Sequence, residues 1–149
     1  MRTQVLALAF IAVSLFAPSS TVGEGALAVG LPSDVAKAGF VYGRSANWKT
    51  EDEARADALK SCQQSTKNPQ LRALCAVIST FHDRCVAVAM DPKAGTPGVG
   101  WAISATRQTA ESQALAKCRE TAGASRRDFC EVDIGVGNVT GTLCDGAAK

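Results

Sequence analysis

Two stretches of the chain share one pattern of alanine, leucine and cysteine: "EARADALKSC" at residues 53–62 and "AESQALAKC" at residues 110–118. Both place apolar residues at positions i, i+4, i+5 and i+8, the spacing that lines one face of an α-helix. Alanine on such a face allows close approach to a supporting surface, since its side chain is a single methyl group. The shared pattern predicts two equivalent helices, near residues 50–64 and 106–121.

The flanking residues give start and stop signals for these helices. Thr50, followed by Glu53 three residues later, forms the sequence of a capping box at the first helix. The second helix lacks the box, because Thr109 stands at the position equivalent to Glu53. Pro69 beyond the first helix and Gly123 after the second are typical of helix ends.

Strand-like runs surround each helix at the same relative places. Two runs precede each helix and one follows it: "GALAVG" (25–30), "GFVYGRS" (39–45) and "CAVISTF" (75–81) around the first, and "CVAVAM" (85–90), "GVGWAIS" (98–104) and "CEVDIGV" (130–136) around the second. The last run alternates apolar with small or charged residues, as a half-buried strand does. Short connections such as "FHDR" (81–84) favour antiparallel pairing.

The sequence therefore predicts an α+β fold, a pseudo-symmetric duplication of strand–strand–helix–strand units at residues 25–84 and 85–149. Antiparallel strands support the two helices, and disulfides staple the chain. We expect the units to share one core, since a unit of about 60 residues is marginal by itself. Tyr42 aligns with Trp101 in the two units, which favours a packing role for both aromatic residues.

Residues 1–24 lie outside this domain. Arg2 precedes an apolar run at residues 5–17, and small residues follow in "PSSTVGEG", a pattern that indicates a secretory signal peptide. We expect cleavage between residues 19 and 25, and no cysteine stands directly after the apolar run, where a lipid anchor would be attached. The sequence thus predicts an exported protein, periplasmic or extracellular, with one domain at residues 25–149 and no membrane anchor after cleavage.

The cysteines support the same compartment. All six follow the apolar run, at Cys62, Cys75, Cys85, Cys118, Cys130 and Cys144. An even number behind a signal peptide indicates a disulfide framework in an oxidising environment. The repeat favours bridges 62–75 and 118–130, which leaves residues 85 and 144 to join across the halves, although sequence alone leaves other pairings open.

These features together resemble a known family. The paired "EARADALKSC" and "AESQALAKC" segments, each followed by a strand that opens with cysteine, are similar to the secreted bacterial family called domain of unknown function 4189. "GALAVG" and "GVGWAISAT" resemble the same pattern, and the likeness covers nearly the whole exported part. The resemblance implies an exported bacterial protein with a disulfide-bonded α+β domain. That family has no agreed activity, so the resemblance supplies no catalytic residues.

Charge and composition argue against several kinds of site. The chain has 16 Lys+Arg and 14 Asp+Glu, a balance without the electrostatic signature of nucleic-acid or anionic-membrane binding. The basic pair in "SRRD" (125–128) is interpreted as a solvated loop. One histidine, with cysteines separated by nine residues or more, does not make a zinc site. "GTPGVG" and "GVGNVTG" lack the glycine spacing of a dinucleotide site, so we expect no metal and no cofactor.

His82 is the single histidine and the first candidate for chemistry. Beside Asp83 it could act as a general base or a proton switch. The pair also lies between two strands, where polar residues commonly form a hairpin turn. The sequence contains no G-x-S-x-G motif to supply an activated serine, and the turn is the favoured interpretation.

Trp48 is the candidate for binding. The segment "NWK", Asn47 to Lys49, is an insertion that the second half lacks, so the duplication does not require it. Trp48 could pack at the entry of the first helix, as most tryptophans are largely buried. It could also anchor a partner, since tryptophan is enriched at binding hot spots. We predict that Asn47, Trp48 and Lys49 contribute to a partner-binding patch.

These observations support one main functional hypothesis and two others. The first is a secreted, non-enzymatic binding module, an effector or inhibitor with a protein partner. The second is a small exported hydrolase that uses His82 with a nearby serine or aspartate. The third is a passive envelope protein without a specific ligand. The sequence leaves the partner and the oligomeric state open.

Overall fold

The computed structural model describes residues 23–133, 141–146 and 148. The N-terminal half runs through β1 (Glu24–Gly30), α1 (Val35–Ala38), β2 (Val41–Trp48), α2 (Glu51–Gln64), α3 (Pro69–Leu74) and β3 (Cys75–His82). The C-terminal half runs through β4 (Cys85–Met90), β5 (Val99–Ser104), α4 (Arg107–Ala122), a 3-10 turn (Arg127–Phe129), β6 (Glu131–Val132) and β7 (Thr142–Cys144). The α+β class and the two long helices are confirmed.

Each half forms its own antiparallel sheet. The first sheet has three strands in the order β2–β1–β3. In the second sheet β4 pairs with β5 along one edge and with both β6 and β7 along the other. In the first sheet the edge of β1 opposite β2 pairs with β3. Among the described residues, the equivalent edge of β4 in the second sheet pairs with β6 and β7.

The halves pack as four layers, with a helix on each outside and the two sheets between. Small residues face the helices: the fully buried Ala26 and Ala28 of β1 lie under α2, and Ala87 and Ala89 of β4 lie under α4. The larger residues of the same strands face the middle, where a third cluster forms from Leu27, Val29, Val86, Val88 and Phe81. Alternate residues of a strand point to opposite faces, so one strand supplies both layers.

The helices approach their sheets closely, as the alanine stripes predict. Ala54 and Ala58 of α2 are fully buried, and so are their counterparts in α4. A Cβ atom on Gly43 of β2 would overlap the backbone of α2, and Gly100 of β5 stands in the same way beneath the backbone of α4. Glycine is needed at these two places because the helix backbone occupies the space of a side chain.

The helix starts match the sequence signals. Thr50 accepts a hydrogen bond from the Glu53 amide at 3.2 Å, and the Glu53 carboxylate accepts from the Thr50 amide at 3.1 Å, a complete capping box. Thr106 caps α4 through its side chain alone. Pro69 lies beyond the end of α2 and is also the first residue of the short helix α3, whose N-cap is Asn68. Proline suits this first position because its missing N–H would have no partner there.

All three expected disulfides are present: Cys62–Cys75, Cys118–Cys130 and Cys85–Cys144. The first two each join the last turns of a long helix to the segment that follows it. The third was expected to cross between the halves and does not, because Cys85 and Cys144 face each other on the neighbouring strands β4 and β7. Three disulfides are typical of a protein in an oxidising compartment. Within the ranges that the structure describes, no helix is long and apolar enough to cross a membrane.

Two local expectations differ from the structure. The "FHDR" connection is not a hairpin, since β3 and β4 belong to different sheets and Asp83 turns the chain with a φ of 48°. Of the strand expected at residues 130–136, Glu131–Val132 forms β6 against β4, and residues 134–136 lie outside the described ranges. Asn47 and Trp48 are the last residues of β2.

The second difference concerns "SRRD", which the sequence favours as a solvated loop. Arg126 donates two hydrogen bonds, at 2.7 and 2.6 Å, to the buried carboxylate of Asp91. Its guanidinium also lies 4.0 Å from the centre of the Phe129 ring. The ion pair ties the turn after α4 to the connection between β4 and β5.

Tyr42 and Trp101 have the packing role that their alignment predicts. Both are partly buried against the middle cluster. Phe40 stacks on each of them with ring centroids 5.9 Å apart. The three rings thus join the two sheets at one side of the middle layer.

Candidate functional site

The predicted patch lies at the end of β2. Asn47 has a left-handed φ of 61°, and its side-chain oxygen accepts a hydrogen bond from the Gly146 amide at 3.0 Å. Trp48 is 38% exposed and donates from its indole Nε1 to Asp57 at 3.3 Å. Lys49 is exposed. Asn47 thus holds the C-terminal segment in place, while Trp48 and Lys49 face solvent.

An open groove lies on the side of β2 and α2 that carries Asp57, the hydrogen-bond partner of Trp48. It has a volume of about 900 Å³ and runs between α2 and β2 on one side and Asp133 and Leu143 on the other. Asp57, the hydrogen-bond partner of Trp48, lines one end of it. We call this cleft the β2–α2 groove, with walls that include Tyr42, Arg44, Asp57, Lys60, Gln64 and Asp133.

Arg44 is the most unusual residue of the groove. Its guanidinium donates to the Gly141 carbonyl at 2.6 Å and lies 5.2 Å from the centre of the Tyr42 ring. Burial lowers the pKa of Arg44 to about 10, which leaves the side chain charged at neutral pH. Arg44 is one of the residues that line the groove.

The two carboxylates of the groove already have partners. Asp57 accepts from the Trp48 indole, and Asp133 accepts from the Tyr42 hydroxyl. Lys60 adds a second positive charge to the wall. The groove therefore offers cationic donors to a ligand, while its acidic groups are engaged by aromatic side chains.

His82 lies at the end of the molecule where β1 begins. Its Nδ1 is 2.9 Å from the Gly23 carbonyl and 3.4 Å from a Glu24 oxygen, and its Nε2 is 3.3 Å from an Asp83 oxygen. The imidazole side chain is 44% exposed. The structure thus adds a second acidic partner, Glu24, to Asp83, which already neighbours His82 in the sequence.

Asp145 belongs to the same end and is fully buried. One of its carboxyl oxygens, Oδ1, accepts from the Arg84 amide at 2.8 Å, and the other, Oδ2, has no partner in the described ranges. Burial raises the pKa of Asp145, and the charges of His82, Asp83 and Glu24 act on it as smaller influences. No group of three or more His, Cys, Asp or Glu in these ranges is placed to hold a metal ion.

The predicted patch and the His82 cluster share one end of the fold. Across the first sheet, Glu24 pairs with Trp48 on one side and with His82 on the other. The Asn47 bond to Gly146 places the residue after Asp145 at the same end. We call this region, from Gly23 to the Asp145 carboxyl, the β1 end.

Sequence reasoning missed Arg44, Asp133 and Asp145. Arg44 carries one signal, a charge inside an otherwise apolar strand run. Asp133 and Asp145 carry none, because their partners are distant in the sequence. Tyr42 lies 91 positions before Asp133, and Arg84 lies 61 positions before Asp145.

Comparison with known proteins gives one result. The family described as domain of unknown function (DUF4189) matches residues 25–136, from the second residue of β1 through β6, with both long helices. No curated protein and no solved structure was found to match. The chain therefore belongs to the family called domain of unknown function 4189.

Proposed function

We propose that the protein is exported and acts as a non-enzymatic binding module, with the β2–α2 groove and Trp48 as its contact surface. The partner is a protein that places a carboxylate-bearing, extended segment in the groove. The observation that carries this proposal is Arg44, a partly buried cation in the wall of the groove that donates to the Gly141 carbonyl and lies over the Tyr42 ring.

The chemistry of the groove fits such a segment. A guanidinium presents its donors in a planar fork that a carboxylate can accept with two parallel hydrogen bonds. The stacking of Arg44 over Tyr42 and its bond to Gly141 hold this fork in one orientation, so less side-chain entropy is lost on binding. Lys60 supports the same charge preference from α2.

Trp48 supplies the apolar part of the surface. The indole is partly exposed while its Nε1 is fixed on Asp57, so the ring presents a rigid face beside the groove. Tryptophan in such a place buries a large area at a small entropic cost. Asn47 fixes the backbone beneath it, and Lys49 adds an exposed cation. We expect a partner that contacts these three residues to extend into the groove.

Export is part of the proposal. The apolar run at residues 5–17 and the three disulfides support passage through a membrane into an oxidising compartment. A binding surface exposed outside the cytoplasm has to tolerate that environment, and the disulfides tie both helices to their sheets.

A displayed library of random peptides with free C-termini tests the groove. We expect wild-type protein to enrich peptides with Asp, Glu or the terminal carboxylate next to an apolar residue, with binding at least tenfold weaker for Arg44→Met and Trp48→Ala. Arg55→Met is the matched control, since Arg55 lies on α2 in an exposed pair with Glu51 and outside the groove. Equal binding by all three variants, or enrichment without carboxylates, would contradict the proposal.

The melting temperature separates binding from packing at Trp48. If Trp48→Ala keeps peptide binding but lowers the melting temperature, Trp48 packs the helix entry and is not an anchor.

A hydrolase that uses His82 is the second candidate. The observation in its favour is the contact of the imidazole with Glu24 and Asp83 beside the buried Asp145. General acid–base chemistry requires such a proton carrier within reach of a substrate. A panel of ester, peptide and glycoside substrates tests it, and hydrolysis that persists in His82→Ala removes this candidate.

A further inference from the structure

The strand β5 has one unpaired edge. It lies at the end of the second sheet and pairs with β4 alone, in a register without a bulge. Proteins usually protect a free strand edge with a charged side chain, a bulge or a covering segment. Along β2, the equivalent edge strand of the first sheet, Arg44 supplies such a charge. The residues of β5, Val99–Ser104, carry no charge at all.

The pairing with β4 determines which main-chain groups of β5 point outwards. The Asp91 amide donates to the Gly98 carbonyl at 2.9 Å, so these two residues form a hydrogen-bonded pair of the ladder. Such pairs alternate with pairs that exchange no hydrogen bond. In the register of β4 and β5, the N–H and C=O groups of Val99, Trp101 and Ile103 therefore point away from β4.

Val99 and Trp101 differ in what their outward groups contact. The Thr121 hydroxyl on α4 accepts from the Val99 amide at 2.8 Å and lies 2.7 Å from the Val99 carbonyl. In the ranges that the structure describes, the main-chain groups of Trp101 have no such partner. Trp101 therefore presents one donor and one acceptor at the free edge of the sheet.

A cleft with a volume of about 780 Å³ lies along this edge. Its lining includes Leu31, Pro32 and Val35 from the segment after β1, Val99 and Trp101 from β5, and Lys117 and Glu120 from α4. We call it the β5–α4 cleft. Leu31 is 47% exposed although it is a large apolar side chain. The cleft thus combines unpaired main-chain groups with an apolar wall.

The β5–α4 cleft is the counterpart of the β2–α2 groove. Gly43 and Gly100 lie in the same way beneath their helices, and each cavity is lined by the strand and the helix that meet at its glycine. The residue after the glycine is Arg44 in the first half and Trp101 in the second. The duplication therefore provides the same cleft twice, once with a cation and once with an aromatic ring at this position.

We propose that the β5–α4 cleft binds an extended, uncharged peptide segment of a partner protein, which adds to β5 as a further strand of the second sheet. A peptide main chain repeats a donor and an acceptor at the spacing of a strand, and so matches the outward groups of Trp101. Alternate side chains of the segment contact Leu31 and the apolar wall. Lys117 and Glu120 carry opposite charges, so the helix side of the cleft favours a segment without net charge.

This site is separate from the β2–α2 groove and does not depend on the function proposed for that groove. A synthetic library of hexapeptides, blocked at both ends so that no terminal carboxylate remains, tests it. We expect the protein to select peptides with apolar residues at alternate positions. Wild type and Arg44→Met are expected to bind these peptides equally, because Arg44 lines the other groove.

A charge in the apolar wall should prevent binding. We expect Leu31→Glu to weaken the binding of the selected peptides by about tenfold or more, since the new carboxylate would lose its water when the segment binds. Ile78→Glu is the matched control, because Ile78 is 46% exposed and lies on β3, outside the cleft. Both changes are at exposed positions, so both variants are expected to fold.

N-methylated peptides separate strand pairing from apolar contact alone. Alternate amides of a strand face the same neighbour, so methylation of one alternate set should weaken binding by about tenfold or more, while methylation of the other set should not. Hydrogen exchange measured by NMR gives a second readout. On binding, exchange of the Trp101 amide is expected to slow by about tenfold, whereas the Gly100 amide, which faces β4, should not change.

Three results would overturn the inference: no selection of blocked peptides, equal binding by Leu31→Glu and Ile78→Glu, or the same effect of both methylated sets. Loss of peptide binding in Arg44→Met would place the peptides in the β2–α2 groove instead. Sedimentation of the free protein tests another occupant, a second copy of the chain. A dimer that Leu31→Glu dissociates would mean that β5 pairs with its own copy, and the partner segment would be wrong.

Discussion

The two halves of the molecule use one packing scheme and differ in their third strand. In each half a long helix lies on its sheet through buried alanines, and a disulfide joins the helix end to the next segment. In the N-terminal half that segment leads into β3, a continuous strand of eight residues. In the C-terminal half the corresponding edge of β4 is covered by β6 and β7, of two and three residues.

The difference separates packing from candidate function. Residues that recur in both halves are small and buried, such as Ala58 and Ala114. The candidate functional residues do not recur: Gly43 and Gly100 lie in the same way beneath their helices, and the residue after each is Arg44 in the first half and Trp101 in the second. Arg44 donates a hydrogen bond to Gly141, in the C-terminal segment that has no counterpart in the first half. Asp145 belongs to that same segment, and its partner is the Arg84 amide. The second half thus shapes sites whose walls come from the first.

Among the variants that compare the two halves, we expect the largest loss of stability from replacing the glycines beneath the helices. A valine at Gly43 or at Gly100 would overlap the backbone of the helix above it, a clash with backbone atoms that rotamer changes cannot relieve. We expect neither variant to give a folded protein, as measured by near-ultraviolet circular dichroism and by the yield of disulfide-bonded product.

Ala76→Val is the control, since Ala76 is an exposed strand residue of β3. A folded Gly43→Val protein beside an unfolded Gly100→Val protein would show that the halves do not share the same close approach.

The stability lost when a disulfide is removed should depend on the length of the loop that the disulfide closes, and not on the half of the molecule that contains it. Cys62–Cys75 and Cys118–Cys130 close loops with separations of 13 and 12 residues, so removing either by paired Cys→Ser changes should cost about 3 kcal/mol. Cys85–Cys144 has a separation of 59, and its removal should cost about 4 kcal/mol. Urea unfolding of each double variant measures these differences.

A smaller effect for Cys85–Cys144 than for the two short bridges would contradict the loop-length argument. It would mean that pairing of β7 with β4 holds that edge without the covalent bond.

The helices and the cysteine pairs could be predicted because their signals are local. Alanine spacing placed α2 and α4 to within two residues, and the repeat of Cys62 and Cys118 selected the bridges. The pairing of β7 with the same edge of β4 as β6 carries no local signal, since β7 has only three residues. Which sheet a strand joins is also invisible in "FHDR", because a two-residue connection suits a hairpin equally well.

The candidate sites were harder to predict for a similar reason. Trp48 and His82 stand out by residue type, and both lie on the surface. The environment of Asp145 depends on strands β1, β3 and β4, which meet only in the folded chain. Burial of a single aspartate near the end of the sequence therefore has no signature in the sequence itself.

The caps of the two helices give a smaller and unequal effect. Thr50 takes part in a reciprocal pair of hydrogen bonds with Glu53, whereas Thr106 caps α4 with its side chain alone. We expect Thr106→Ala to cost about 1 kcal/mol and Thr50→Ala to cost somewhat more, up to about 2 kcal/mol. Thermal unfolding at one pH compares the two.

Glu53→Thr is the matched control, since it gives α2 the residue that α4 has at this position. If the capping box explains the difference, Thr50→Ala in this background should cost the same as Thr106→Ala.

The last effect is confined to acid and to the C-terminal half. Arg126 binds both carboxyl oxygens of Asp91 and, chiefly through these hydrogen bonds, lowers the pKa of Asp91 to about 2. An acid with a lowered pKa stabilises the fold above its unfolded value, near pH 4, and that contribution is lost as the pH falls towards 2. The pair lies between the β4–β5 connection and the turn after α4, so its loss should loosen that corner first.

We therefore expect the melting temperature of wild type to fall between pH 4 and pH 2 more steeply than that of Arg126→Met, in which Asp91 has lost its partner. Lys93→Met is the control, because Lys93 is an exposed cation of the same connection whose backbone amide, not its side chain, contacts Asp91. Hydrogen exchange at acidic pH should rise in β5 and in the last turn of α4 before it rises in β1. Parallel acid profiles for wild type and Arg126→Met would show that the ion pair does not set the acid response of this half.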